Sequence, residues 1–160
     1  MGVTLQEYDP ADFETLYAID RACYPPGISY SRRTLRWFLA LPGASCLVAR
    51  IGARDTAEIA GFIIAESEGS EAHIITIDVA ETHRRSGVGT ALLDEMERRL
   101  AAGGARRVAL ETATSNEAAI AFWQRHGYLS RGVLRRYYLG RLDAFAMWKE
   151  LAPPGRPQPK

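Results

Sequence analysis

Residues 72–79 alternate like a strand and run through Ala80-Glu81-Thr82-His83 into Arg84-Arg85-Ser86-Gly87-Val88-Gly89-Thr90. From Gly87 the apolar positions Val88, Leu92, Leu93, Met96 and Leu100 fall on one helical stripe. This junction constrains the fold most, because a hydrophobic period changing from 2 to about 3.6 across a glycine-rich turn joins a sheet to a helix layer in a fixed order. Glycines let the backbone approach a ligand closely, and the first turn of a helix leaves N–H groups unpaired and pointing outward. With the positive end of the helix dipole and with Arg84 and Arg85, those groups suit a diphosphate. A plain tight turn would use the same residues. Two other phosphate motifs are excluded: Thr90-Ala91 follows the last glycine where a P-loop needs Lys and then Ser or Thr, and Leu92 stands where a dinucleotide fingerprint needs a third glycine.

The elements around the junction give an α/β chain. Residues 3–8 read as a strand, and Asp9-Pro10 opens a helix carrying Phe13, Leu16, Tyr17 and Asp20, stopped at Tyr24-Pro25-Pro26-Gly27. A shorter helix over 31–41 presents Leu35, Phe38 and Leu39 and ends at Pro42-Gly43. Residues 46–51, 59–66 and 72–79 are β-branched runs spaced for antiparallel hairpins. The junction helix extends to about residue 102, with Asp94–Arg98 and Glu95–Arg99 spaced as i,i+4 pairs and Gly103-Gly104 placed for a left-handed cap. A strand over 107–112 follows, then a helix over 116–126 with Thr114 and Glu117 spaced for a capping box and Gly127 at its stop, then strands over 128–138 and 144–151. The predicted order is β-α-α-β-β-β-α-β-α-β-β, a mixed central sheet in one domain over residues 1–151, with residues 152–160 as a disordered Pro-rich tail.

Composition narrows the function classes. Twenty Lys and Arg against nineteen Asp and Glu give a formal net charge of +1, so no global field favours nucleic acid or a membrane surface, and any anion site must be local. Cys23 and Cys46 are too few for a disulfide framework and lack metal-ligand spacing; a single bridge is the lesser alternative to two buried thiols, and no metal is expected. The acidic N-terminus does not read as a targeting peptide, and the longest apolar stretch, residues 59–65, is too short to span a bilayer; a soluble cytoplasmic protein, monomer or homodimer, is expected.

Arg84-x-x-Gly87-x-Gly89 resembles the acetyl-CoA signature of the GNAT superfamily of N-acetyltransferases, and the element order resembles that fold over residues 3–151. Leu110-Glu111, Ser115-Asn116-Glu117-Ala118-Ala119-Ile120, Phe122-Trp123, His126-Gly127-Tyr128, Arg136-Tyr137-Tyr138 and Asp143-Ala144-Phe145-Ala146-Met147 are similar to the protein N-terminal acetyltransferases, including the ribosomal-protein-alanine branch. The resemblance implies acetyl-CoA as cofactor. The backbone of Ile77, Asp78 and Val79 would pair with the pantetheine arm like an added strand, and Arg84, Arg85, Ser86, Gly87, Val88, Gly89 and Thr90 would wrap the pyrophosphate. It also implies cofactor contacts from Asn116, which spacing alone reads equally as a helix cap, and from Trp123.

Acetyl transfer to an amine needs a deprotonated amine, and an N-terminal ammonium, with a pKa near ~8 against ~10.4 for lysine, asks only for a modest base. Glu111 is the first candidate: its strand alternation turns it away from Val108 and Leu110, and it matches the family's base position. His73 is the second, at a point where some N-terminal acetyltransferases carry a catalytic side chain; an unperturbed pKa of about 6.5 suits it. His83 and His126 read as structural. Trp123 stands where the family keeps a tyrosine thought to protonate the leaving thiolate, and an indole N–H donates a hydrogen bond without delivering a proton.

On the acceptor side, Tyr24, Pro25, Ile28 and Tyr30 lie in the loop that contacts the peptide in the N-terminal acetyltransferases, and Tyr137 and Tyr138 match tyrosines walling its slot. The expected acceptor is a protein or peptide N-terminus. Two rivals remain open: an acetyltransferase of a small amine (polyamine, antibiotic or amino acid), and a non-catalytic acyl-CoA-binding module.

Overall fold

The computed structural model describes residues 2–53 and 57–154. Among these, seven strands form one sheet: β1 (Val3–Glu7), β2 (Ala44–Ile51), β3 (Glu58–Glu68), β4 (Glu71–Val79), β5 (Arg107–Ala113), β6 (Leu129–Tyr138) and β7 (Leu142–Glu150), in spatial order β1-β2-β3-β4-β5-β7-β6. The helices are α1 (Phe13–Cys23), α2 (Arg32–Leu39), α3 (Val88–Ala102) and α4 (Glu117–Arg125), so the chain order is the one predicted. Only β4 and β5 run parallel, because α3 crosses over between them; every other neighbouring pair is antiparallel. Most of the predicted tail, residues 155–160, lies outside the described residues.

Local chemistry sets the helix ends. Asp9 accepts from the Ala11 N–H at 2.8 Å over the 3-10 turn Pro10–Asp12, and Ser31 Oγ accepts from the Thr34 N–H at 3.1 Å at the start of α2. At the end of α3, Gly104 takes the left-handed conformation (φ +107°) while the Ala105 N–H returns to Leu100 O at 2.9 Å. Two local expectations change. The cap of α4 is Asn116, whose Oδ1 accepts from the Ala119 N–H at 3.2 Å, and not Thr114, whose N–H is tied to Asp143 O at 3.0 Å. Arg98 pairs with Glu95 and not Asp94: the longer glutamate spans i+3 and i+4 at once, with Arg98 Nε at 3.0 Å and Arg99 Nε at 2.9 Å.

The sheet is packed on both faces. The α3 stripe, Val88, Leu92, Leu93, Met96 and Leu100, is buried with Leu47, Ile63, Val108, Leu110 and Met147 and with Trp123 of α4. On the opposite face Phe13, Leu16 and Ile19 of α1 and Leu35 of α2 pack on Val48, Phe62 and Ile64. Cys23 and Cys46 are both free and only half-buried, so neither a bridge nor full burial is realised. Among the described residues no helix is long and apolar enough to cross a membrane.

One irregularity positions the site. In the β3–β4 ladder Ala65 pairs with Ile74 and Ile64 with Thr76, leaving Ile75 as an extra residue. Such a bulge bends a strand and increases its twist. It also resets the alternation: Ala72 and Ile74 face the α3 layer, but beyond Ile75 it is Ile77 and Val79 that do, while Thr76 and Asp78 turn with Ile64 and Phe62 toward α1.

Leu93→Ala, at a fully buried position between α3 and the sheet, is expected to cost about 2–5 kcal/mol in denaturant unfolding. A loss near zero would mean that this stripe does not carry the core.

Candidate active site

The β4–β5 ladder is short. It contains Glu71↔Arg107, Ala72↔Val108 and His73↔Ala109, whereas β4 stays paired with β3 as far as Val79 and β5 stays paired with β7 as far as Ala113. The two parallel strands therefore part just before the bulge at Ile75, and each presents an unpaired edge to the fork.

Side chains already occupy the carbonyls on the β4 edge. The Tyr30 hydroxyl donates to Ile75 O at 3.4 Å and the Tyr24 hydroxyl to Ile77 O at 3.2 Å. Val79 O accepts from the Cys23 thiol at 3.4 Å and from Arg84 Nε at 3.2 Å. Residues along a strand present their peptide groups to alternate sides, so Asp78 is the exception to the sequence reading. Its carbonyl lies against β3, where a Cβ on Gly61 would come within 2.5 Å of it, and its carboxyl is 1% exposed beneath the sheet. Only Ile77 and Val79 of the predicted trio turn their backbone to the fork.

At the root of the fork, His73 Nε2 lies 2.7 Å from Glu111 Oε1, and the Tyr137 hydroxyl donates to the same oxygen at 3.2 Å. The Tyr138 hydroxyl donates to Glu111 O at 3.4 Å, and its ring packs edge-on to Tyr137 with centroids 4.9 Å apart. Burial pushes the Glu111 carboxyl up, but the hydrogen bond and charge of His73 and the bond from Tyr137 outweigh it and hold the group below its usual range. Glu111 is therefore ionised at neutral pH and accepts from His73 Nε2–H, so that a neutral imidazole in this orientation carries its lone pair on Nδ1. Burial and the nearby carboxylate push Tyr137 up to about 12; burial and Tyr137 push Tyr138 up to about 12, so both are neutral donors.

At the far end of β4, Arg85 (φ +62°) and Gly87 (φ +84°) are left-handed on either side of Ser86, folding the turn into a concave run ahead of α3. Residues 84–87 are exposed, and no atom lies within 4 Å of a Cβ built on Gly87. Gly89 lies against Phe122, where an added Cβ would meet the ring at 3.1 Å. The N–H groups of Val88, Gly89 and Thr90, in the first turn of α3, have no helical acceptor and follow directly on this exposed turn, an arrangement suited to a diphosphate. Ser86 Oγ donates to His83 O, and Thr90 Oγ1 contacts His126 Nε2 at 3.1 Å. His126 Nδ1 also meets Phe122 O at 2.8 Å, so both its ring nitrogens serve local structure.

The loop 24–30 and the β6–β7 turn meet over this region. Gly27 (φ +91°) faces Leu139, whose Cδ2 would lie 2.2 Å from a Cβ there, so glycine serves both the backbone conformation and the close approach. Pro25 O accepts from the Ile28 and Ser29 N–H groups at 3.0 and 3.1 Å, rounding the loop toward the half-buried Ile28 and Tyr30. Trp123 is 5% exposed in the α3-side core, edge-on to Phe122 and Tyr128 with centroids 5.1 and 5.2 Å away, so its bulk serves packing. Sequence reasoning missed the buried partner of Asp78, Asp20 on α1; its only signal was a carboxylate at an inward-facing helical position.

The model of the acetyltransferase (GNAT) family matches residues 13–128. A Methanocaldococcus jannaschii protein named as an uncharacterized N-acetyltransferase is 27% identical over 91% of this chain and 90% of its own. The ribosomal protein bS18-alanine N-acetyltransferase of Escherichia coli K12 is 34% identical over 56% of this chain and 63% of its own length. Among solved structures, Ard1 from Thermoplasma volcanium superposes with a TM-score of 0.86 at 27% identity, over 95% of this chain and 99% of that one.

Because its folded pKa is lowered, the pairing of Glu111 stabilises the fold above the ordinary carboxylate range, and that contribution is lost as pH falls through the lowered value. His73→Phe is expected to move the Glu111 titration upward, read by carbon-detected NMR of the side-chain carboxyl. An unmoved titration would contradict the pairing.

Proposed function

The chain belongs to the acetyltransferase (GNAT) family, and from that premise we propose that it moves the acetyl group of acetyl-CoA to the α-amine of a protein or peptide N-terminus, by direct attack with Glu111 and His73 as the base. The observation that carries the reading is the fork: an unpaired β4 edge leads from an anion-binding turn to an imidazole–carboxylate pair at the root.

Acetyl-CoA supplies the acetyl group as an activated thioester. The N–H groups of residues 85–90 and the guanidinium group of Arg85 bind the pyrophosphate, and Asn116, whose oxygen caps α4, leaves its amide nitrogen for a further contact. The backbone of Ile77 and Val79 takes the pantetheine arm as an added strand, and a backbone N–H of that edge polarises the reacting carbonyl. Nδ1 of His73, oriented by Glu111, removes the proton from the attacking ammonium; a proton released near pKa ~8 needs no stronger base. Tyr137 and Tyr138, neutral and packed edge-on, wall the slot through which an extended chain enters beneath the loop 24–30. Trp123 delivers no proton, but a thiol of pKa about 8.5 leaves readily near neutral pH without one.

The acceptor assignment is supported by the slot and by the likeness to an enzyme named for a protein N-terminal alanine. Residues 24–30 include no carboxylate, which a pocket for a polyamine or aminoglycoside would need. The same reading puts the protein in the cytoplasm.

An acetylation assay across peptides with different first residues, with polyamines and aminoglycosides alongside, tests the acceptor. Peptide α-amines are expected to react selectively; turnover confined to the small amines would overturn the assignment. Glu111→Gln is expected to lower kcat by about 10²-fold or more with little change in acetyl-CoA binding. Gly87→Glu, which forces a side chain and a charge into the cradle, is expected to abolish the rise in Tm that acetyl-CoA produces.

A further inference from the structure

Asp20 and Asp78 are 0% and 1% exposed, on the facing surfaces of α1 and β4. Each has one satisfied oxygen: Asp20 Oδ2 accepts from the Tyr30 N–H at 2.7 Å, and Asp78 Oδ1 from the Thr76 hydroxyl at 2.6 Å. The remaining two, Asp20 Oδ1 and Asp78 Oδ2, are buried and accept no hydrogen bond, and the two carboxyl groups lie within reach of each other with the Tyr24 hydroxyl beside Asp78. The titratable groups facing the pair are Cys23 on α1, Tyr24 and Tyr30 on the loop and Cys46 on β2, none of them cationic. The Arg84 guanidinium stops at Cys23 Sγ, 3.5 Å away.

Two carboxylates in contact, out of water and without a cation, do not both ionise. One proton between them makes a charge-assisted O–H···O⁻ bond and satisfies both orphaned oxygens at once. Burial, then the bond and charge of Asp20, hold the Asp78 carboxyl well above its usual range, in agreement with that geometry.

We propose that Asp20 and Asp78 share a single proton, and that this acid–carboxylate bond is a positioning device locking the loop 24–30 onto the open edge of β4. Asp20 holds the far end of the loop through the Tyr30 N–H, and the near end begins at Tyr24, whose N–H returns to Asp20 O at 3.2 Å. With both ends fixed, the Tyr24 and Tyr30 hydroxyls sit on Ile77 O and Ile75 O. Removal of the proton leaves two adjacent buried anions, drives α1 from β4 and withdraws those donors. The kinetic consequence rests on the reading of loop 24–30 as the acceptor slot; the shared proton does not.

The sign of the pH dependence follows from the raised folded pKa. The folded state holds a proton that the unfolded chain has released, so stability falls as pH rises from the ordinary aspartate range through the raised value. Asp78→Asn replaces the shared proton with a permanent N–H donor of nearly the same shape.

The test pairs infrared spectroscopy with Tm and kinetics. Wild-type protein at neutral pH is expected to show a protonated-carboxyl C=O band that shifts in D2O and disappears in Asp78→Asn. That variant is expected to lose the decline in Tm with rising pH and to keep its acceptor KM at neutral pH within about threefold. Asp20→Ala is expected to raise the acceptor KM about tenfold or more, with a smaller change in the acetyl-CoA KM. Absence of the band, an identical Tm–pH slope in wild type and Asp78→Asn, or a wild-type Tm set by the concentration of Na⁺ or K⁺ would each overturn the shared proton. An unchanged acceptor KM in Asp20→Ala would overturn the positioning role. A wild-type protein that acetylates no amine, yet shows the band and slope, would sink the proposed function and leave the shared proton standing.

Discussion

The extra residue in β4 is the constraint on which the site depends. Ile75 has no partner in the β3–β4 ladder, and just before it, at His73, the pairing of β4 with β5 ends. A regular β4 would continue the parallel ladder, consume the backbone groups of Ile77 and Val79, and leave no edge for a ligand to join. The same insertion resets the facing of every later side chain in the strand. It brings Asp78 beneath α1 and leaves His73, on the near side of the bulge, beside Glu111.

Around this fork polar groups are distributed by function. The reacting end carries one carboxylate–imidazole pair inside a shell of neutral tyrosines, an environment that keeps Glu111 charged and His73 oriented without a strong local field. The turn proposed to hold the anion, a strand length away, offers backbone N–H groups and arginines at the head of α3, whose buried stripe fixes that head against the sheet. The loop 24–30, proposed as the acceptor slot, is fastened from below through Asp20 and touches the β6–β7 turn above, where Gly27 meets Leu139. Each part is thus held by a different element of the fold.

Much of this was legible in the sequence because it follows from short-range periodicity. The stripe of α3, the glycine turn and the outward facing of Glu111 all follow from spacing within one element, and the structure contains them as read. The bulge was not legible: in Glu71-Ala72-His73-Ile74-Ile75-Thr76-Ile77-Asp78-Val79 an extra residue leaves the run β-branched and strand-like throughout, so uninterrupted alternation is the natural reading. From that followed the failure to see that Asp78 turns away from the fork, and that its carboxyl meets Asp20, a contact between distant parts of the chain. At α4 the sequence offered two caps and the structure uses Asn116 in place of Thr114, whereas the partner of Arg98 was misread because Glu95 outreaches Asp94.

The central claim is that the parted edge of β4 receives the donor as an added strand, and amide hydrogen exchange at Ile77 and Val79 tests it most directly. Strand alternation directs both N–H groups into the fork, with no neighbouring strand on that side. Addition of coenzyme A is expected to slow exchange at these two amides and at the first turn of α3, while Asp78, already facing β3, stays unchanged. Saturating ligand that protects the α3 turn but leaves Ile77 and Val79 exchanging as before would contradict the account.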